Sequence, residues 1–334
     1  MYRRLPVLLC IALLAGIFCT STPSQTPDDA IRIETRLVSV PVIVSDRNGR
    51  YIPGLAQNDF SVFQDGVEQR VEFFAATEEP LTIALLIDTS HSTRDVLDDI
   101  KDSAKSFIKL LKPADRAMIV TFDNETHILC PLTSDQEALK QGIKDAFIPP
   151  IAGTKLRDAV YQTINRSFAD IKGRKAIIVL TDGKDFGSRV PRNQLLYKLQ
   201  ESDTLVYTVY FETGPRGPQR PFRMGRNGGI FGGRFPPPPN PRQRERVEQQ
   251  NEMAQEFLES LSDLTAGRFY ATKNGKIKKT FATIVDELRF QYRIGFYPPE
   301  DDGGQALHEL KVKVARPDVA IRARESYRTQ SKAR

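Results

Sequence analysis

The order of apolar and polar positions divides the chain into three kinds of segment. In the first, apolar and polar side chains alternate, as in "RLVSVPVIVSD" (36–46) and "DFSVFQDGVEQRVEFF" (59–74). A period of two places the apolar set on one face of a strand. Turn signals, "RNG" (47–49) and "QDG" (64–66), punctuate these runs. The stretch therefore predicts a small antiparallel β unit.

The second kind starts at residue 81. "LTIALLI" (81–87), "RAMIVTF" (116–122), "KAIIVL" (175–180) and "TLVYTVYF" (204–211) are continuous apolar runs, as in strands buried on both faces. Helical patterns separate them. The first covers 95–111, with Val96, Ile100, Phe107 and Leu111 as its apolar set; "SDQEALKQGIKDAF", "TKLRDAVYQTINRSF" and "LLYKLQES" follow. Helix "VEQQNEMAQEFLESLSDL", strand "GRFYAT" and helix "KKTFATIVDELRF" close the series. Strands alternating with helices predict an α/β fold with a doubly wound, mainly parallel sheet, Rossmann-like in layout. "HILCPL" (127–132) comes too soon after "RAMIVTF" for a parallel crossover, so it is predicted as an antiparallel edge strand.

The third kind is β structure without helices: "QYRIGFYPP" (291–299), "HELKVKVARP" (308–317) and "AIRARESYR" (320–328). Neither 30–78 nor 291–328 offers enough strands for a core of its own. The two are expected to pair into one small flanking antiparallel β domain, with residues 80–290 inserted between them.

Composition changes this picture at two places. The chain has 334 residues, 40% hydrophobic and 27% charged, which suits a globular protein of more than one domain. Its start differs: Arg3 and Arg4 precede an apolar stretch from Leu5 to Phe18, and small and polar residues follow. Residues 1–26 are predicted as a secretory signal peptide, with an apolar core too short for a comfortable membrane span. The mature chain is expected in a periplasm or outside the cell, with no transmembrane span. Phe18 before Cys19 argues against lipidation. Cys10 and Cys19 leave with the signal, so Cys130 alone remains and no internal disulfide can form. Cys130 is read as a small buried apolar residue of the edge strand.

The second place is 213–246, dense in Pro, Gly and Arg. It cannot bury a core and is predicted to be a disordered insert. From 212 to 246 it carries eight arginines against two glutamates, a net of +6 that equals the formal charge of the whole chain. The basicity is local, and the rest of the mature chain is slightly acidic. With no folded basic surface and no organised aromatic platform, a specific nucleic-acid partner is not expected.

Candidate chemistry gathers at strand ends. In an open α/β sheet, ligands sit beyond the carboxyl ends of the parallel strands. Asp88 ends "LTIALLI", and Ser90 and Ser92 follow at spacing two; Asp182 ends "IIVLT"; Thr154 lies in "AGTKLRDAV", in a loop that opens a helix. Three loops thus bring carboxylate and hydroxyl oxygens towards one place. Hard oxygen donors without His or Cys suit Mg²⁺, Mn²⁺ or Ca²⁺ rather than zinc. Neutral hydroxyls would leave such an ion electrophilic towards an anionic oxygen from outside. Each piece also has a plainer reading, since Asp, Ser and Thr cap helices and Asp-Gly makes turns; the three together are harder to explain that way. Asp158 and Asp185 near the same edge are read as structural or solvated, and His91 as an exposed loop residue.

"DTSHS" (88–92), "GTKLRDA" (153–159) and "LTDG" (180–183) resemble, in order and spacing, the metal-ion-dependent adhesion site of von Willebrand factor type A (VWA) domains. The resemblance covers roughly residues 80–290. It implies a non-enzymatic adhesion or scaffold module. Ser90, Ser92 and Thr154 would reach the ion directly or nearly so. Asp88 and Asp182 would act largely through bound water, and the sixth position would take a Glu or Asp carboxylate of a partner protein. The flanks "FSVFQDGVEQRVEFF" and "YRIGFYPP…HELKVKVARPDVAIRARESY" further resemble secreted bacterial VWFA-related proteins.

The alternative enzyme class is a phosphoryl-transfer enzyme of the haloacid-dehalogenase type, which also begins with an Asp after an apolar strand. It needs a second Asp two residues on, and Ser90 stands there. A serine hydrolase has no support: the three histidines, at 91, 127 and 308, come with no Gly-x-Ser-x-Gly elbow.

Overall fold

The computed structural model describes residues 37–76, 79–213, 241–272, 277–299 and 307–329. Residues 35–334 form one compact unit. The predicted signal segment lies outside the described residues.

A six-stranded sheet forms the centre, from β5 (Leu81–Asp88), β6 (Arg116–Phe122), β7 (Thr126–Thr133), β8 (Arg174–Thr181), β9 (Leu205–Phe211) and β10 (Phe269–Thr272), in the order β10-β9-β8-β5-β6-β7. All pairings are parallel except β6 with β7, which is antiparallel. The fold class is the predicted one. β5 is buried along its whole length, because helices cover both faces. Leu81, Ile83, Leu85 and Ile87 pack with α1 (Leu97–Ile108), α2 (Gln136–Asp145) and α6 (Ile277–Arg289). Ala84 and Leu86 pack with α3 (Leu156–Gln162), α4 (Arg192–Glu201) and α5 (Pro241–Asp263). This two-sided burial is why the sequence shows continuous apolar runs rather than alternation. Cys130 is buried on β7.

Two four-stranded sheets flank this unit. One has the order β13-β1-β11-β4, from β1 (Val38–Asp46), β4 (Phe73–Ala75), β11 (Gln291–Phe296) and β13 (Val319–Ala323). The other has the order β14-β12-β2-β3, from β2 (Phe60–Gln64), β3 (Val67–Gln69), β12 (Leu307–Val314) and β14 (Ser326–Arg328). Their inner faces share one core that includes Val40, Val42, Phe60, Tyr292, Ile294 and Leu310.

Two expectations are corrected here. The runs 36–46 and 59–74 do not make one antiparallel unit. β1 is enclosed by β11 and β13, while β2 pairs with β3 and β12. The "RNG" turn leads only to a single bridge, Ser45 to Tyr51. Likewise "AIRARESYR" is two strands in two sheets, broken at Arg324. That guanidinium is buried and donates to the carbonyls of Ser39 and Ser202 (2.6 and 3.0 Å). It ties the β sheets to the last turn of α4, where a cation is favourable; burial pushes its pKa down to about 10.

The insert also needs adjusting. Residues 241–246 already belong to α5. Residues 214–240 lie outside the described residues.

Glu287 of α6 fixes the central unit to the flanking sheets. It is fully buried, accepts the hydroxyls of Tyr207 (2.7 Å) and Tyr51 (3.1 Å), and pairs with Arg322 of β13. Burial and the Glu287 charge raise the Tyr207 and Tyr51 phenols well above their ordinary range, so both remain hydrogen-bond donors at any working pH.

Candidate functional site

The parallel strands β5, β6, β8 and β9 end at the same edge of the central sheet, and the predicted site residues lie at or just beyond that edge. Asp88 is the last residue of β5 and is fully buried. The backbone N–H of Ser90 donates to its Oδ1 at 2.9 Å, and the Thr181 hydroxyl donates to its Oδ2 at 2.6 Å. The register that pairs Ile87 with Leu180 brings Thr181 level with Asp88. A turn of 3-10 helix (His91–Thr93) follows, with Ser90 as its cap. Thr93 donates to the Asp88 and Ser90 carbonyls, closing the turn back on the strand. The Ser90 and Ser92 hydroxyls are hydrogen-bonded at 3.0 Å. Ser90 is buried and Ser92 exposed. Their contact holds the two serine hydroxyls together beside Asp88, while exposed His91 meets the Pro149 carbonyl at 2.8 Å.

Asp182, one residue past β8, is also fully buried. Lys184 Nζ lies 3.2 Å from its Oδ2, and the Thr213 hydroxyl donates to the same oxygen. Thr154 reaches the edge through its backbone. Its loop is held on one side by Lys155 N–H donating to the Asp123 carbonyl (2.7 Å). On the other side Thr154 exchanges two backbone hydrogen bonds with Phe186 (3.1 and 2.8 Å). A Cβ on Gly153 would stand 2.8 Å from Asn124, so a glycine is needed where the loop crosses the end of β6. The Thr154 hydroxyl makes no hydrogen bond to another described residue. Asp88, Ser90 and Ser92 are therefore directly linked. Asp182 joins them through the field it exerts on Asp88, and Thr154 is held beside the loops that follow β6 and β8.

Burial, and then the nearby Asp182 charge, pushes the Asp88 carboxyl up to about 7. Its hydrogen-bond donors are a backbone amide and hydroxyls, and Lys184 pairs with Asp182 only. The pair is under-compensated, which a divalent cation would relieve. Among the described residues no group of three or more His, Cys, Asp or Glu is arranged to hold an ion. The five candidate residues offer two carboxylates and three hydroxyls, all hard oxygens, a chemistry of the kind that suits Mg²⁺, Mn²⁺ or Ca²⁺.

The family model for the von Willebrand factor type A domain matches residues 83–184. The chain contains a VWA domain. The match begins inside β5 and ends two residues past Asp182, so all five candidate residues fall within it. Similar solved structures include an aerotolerance-related membrane protein from Bacteroides fragilis (19% identity, 62% of this chain and 98% of that one, TM-score 0.45). A VWA protein from Catenulispora acidiphila (12%, 82% and 75%, TM-score 0.47) is another. A third is the vWF domain of the pilus tip protein Mfa5 from Porphyromonas gingivalis (14%, 64% and 95%, TM-score 0.44). A comparison with curated proteins gives no match.

Sequence reasoning missed several residues that hold the VWA edge together. Thr89, between the two halves of the first motif, bonds Asp123 and the Phe122 carbonyl at the end of β6. Thr181, Lys184 and Thr213 contact the two site aspartates. Thr181 adjoins Asp182 in "LTDG", but its role depends on β8 lying beside β5, which local pattern does not state. Asp158 and Asp185 prove structural. Asp158 accepts the Arg189 and Val190 amides ahead of α4, and Asp185 pairs with Arg157.

Proposed function

We propose that the chain is a non-enzymatic, divalent-metal-dependent protein-binding module, exported to a periplasm or the cell exterior. Ser90, Ser92 and Thr154 would supply neutral oxygens to Mg²⁺, Mn²⁺ or Ca²⁺. Asp88 and Asp182 would supply the negative charge. The ion, when bound, supplies a Lewis-acidic position for a Glu or Asp side chain of the partner. The observation that carries this reading is the pair of fully buried aspartates at one sheet edge, one of them answered only by neutral donors. Export rests on the N-terminal sequence alone. Among the described residues no helix is long and apolar enough to cross a membrane.

The test is retention of cell-envelope proteins on the immobilised mature chain in Mg²⁺, repeated in EDTA and with Asp88→Ala. The expected result is a set of proteins held in Mg²⁺, released by EDTA and not held by Asp88→Ala. An identical set in all three conditions contradicts the reading.

A further inference from the structure

Beside Asp182 the surface opens into a groove of about 470 Å³ that none of the site residues explains. One wall is the loop Gly183–Phe186; the other is α5, through Gln250, Met253 and Phe257; Arg157 and Arg192 stand at the ends of α3 and α4 that face it. The walls are in close contact at the bottom. A Cβ on Gly183 would stand 2.9 Å from Leu258 and 3.0 Å from Ala254, and φ is +75° there, so the loop can follow α5 only with glycine. Above that contact, large apolar groups are exposed: Phe186 at 76% and Met253 at 60%.

The charges of the groove are unevenly answered. Arg157 pairs with Asp185, and Lys184 with Asp182. Exposed Arg192 makes no ion pair among the described residues; its guanidinium lies 5.0 Å above the Phe257 ring. Three cations against one acid, Asp185, line the groove. The chain's own 214–240 segment carries five arginines and no acidic residue, so like charge disfavours it as the occupant.

We infer that this groove is the second half of the partner site. It takes a bulky apolar side chain lying a residue or two from the carboxylate that reaches the ion, and a second partner carboxylate meets Arg192. The partner segment is an extended acidic peptide with an embedded Leu, Ile or Phe. This inference rests on the proposed metal-dependent reading. It adds the chemistry that such a site would select, since an ion alone cannot tell one carboxylate from another. An apolar contact next to a charged one gives that discrimination.

The experiment uses the mature full chain and three synthetic peptides in a Gly/Ser background. One carries a single Glu, one a Glu with Leu two residues on, and one adds Asp beyond the Leu. Affinities are measured by fluorescence anisotropy in Mg²⁺ and in EDTA. For the wild type in Mg²⁺, the Leu peptide is expected to bind about tenfold tighter than the Glu peptide, as burying one leucine allows, and the added Asp strengthens it again. Met253→Gln removes the Leu preference without changing the Glu peptide, and Arg192→Gln removes only the Asp increment. Both side chains are exposed, and an unchanged melting temperature shows that the variants fold. Equal binding of the Glu and Leu peptides, no binding of any peptide, or a Leu preference that survives Met253→Gln overturns the groove. A Leu preference that persists unchanged in EDTA keeps the groove and removes the metal reading.

Discussion

Asp88 and Thr181 meet side chain to side chain across two parallel strands, and that contact sets where one carboxylate oxygen of the edge points. The Thr181 hydroxyl has a second bond, from the Gly183 amide at 2.9 Å, which orients it to donate to Asp88. Thr181→Val keeps the shape and removes both contacts. The expected result is a stability loss of about 1–3 kcal/mol for a buried carboxylate deprived of a donor, and Mn²⁺ affinity lowered by about tenfold through the loss of an outer partner. Calorimetry and denaturant unfolding measure the two effects; an unchanged affinity would make the contact merely structural. The candidates at Asp88, Ser90, Ser92 and Asp182 stood out in the sequence because small oxygen-bearing side chains replace apolar ones abruptly at two strand ends, and Thr154 stood out as a hydroxyl in a loop that opens a helix. Thr181 did not, because its partner is 93 residues away along the chain and one strand away in the sheet.

At the scale of elements, Asp115 shows how the opposite edge of the central sheet is held. It is buried after α1, and it accepts the Leu81 amide (2.9 Å), the Lys112 amide (2.7 Å) and the Arg289 guanidinium at the end of α6. One carboxylate thus ties the start of β5 to the ends of two helices. Burial alone would raise its pKa, but Arg289 and the two amides outweigh burial and hold it below the ordinary value of 3.8. A depressed carboxylate contributes stability above its unfolded pKa and loses it as pH falls through the folded one. Asp115→Asn is therefore expected to cost about 3 kcal/mol at neutral pH by leaving Arg289 unpaired. The gap to the wild type should narrow as pH falls below about 4, the unfolded value, and close only once pH is below the depressed folded pKa, where both side chains are neutral. A gap that stays constant with pH contradicts this account. The order of these elements was legible from the switch between continuous apolar runs and helical spacing. The splitting of "AIRARESYR" was not, since the break at Arg324 answers to carbonyls on β1 and beyond α4 that only the folded chain brings near.

At the scale of the whole molecule, the route of the chain places charge beside the site. β9 is parallel to β8, and β8 to β5, so the chain leaves β9 at the site edge, where Thr213 already touches Asp182. Residues 214–240 begin there, with five arginines and no acid. Such a segment should draw acidic partners to the edge and raise their association rate at low salt, within a screening length of about 8 Å at physiological ionic strength. Replacing 214–240 by a Gly/Ser linker, with Thr213 and α5 kept, should slow association at low salt and leave dissociation little changed; identical association rates reject steering. The α/β class was legible at this scale because two-sided burial marks each parallel strand. The division of the flanks into two sheets was not, because alternation shows which face of a strand is apolar but not which strand lies beside it. β1, β2, β11 and β12 all alternate or run apolar, and only their long-range register tells the sheets apart.

The central claim is that the buried aspartates at the site edge hold a divalent ion, and calorimetric titration of Mn²⁺ into the metal-free mature chain tests it most directly. The wild type should bind one ion weakly and more tightly in the presence of a glutamate-containing peptide, while Asp88→Ala should show no heat of binding and an unchanged circular dichroism spectrum. Equal Mn²⁺ binding by wild type and Asp88→Ala would contradict the account.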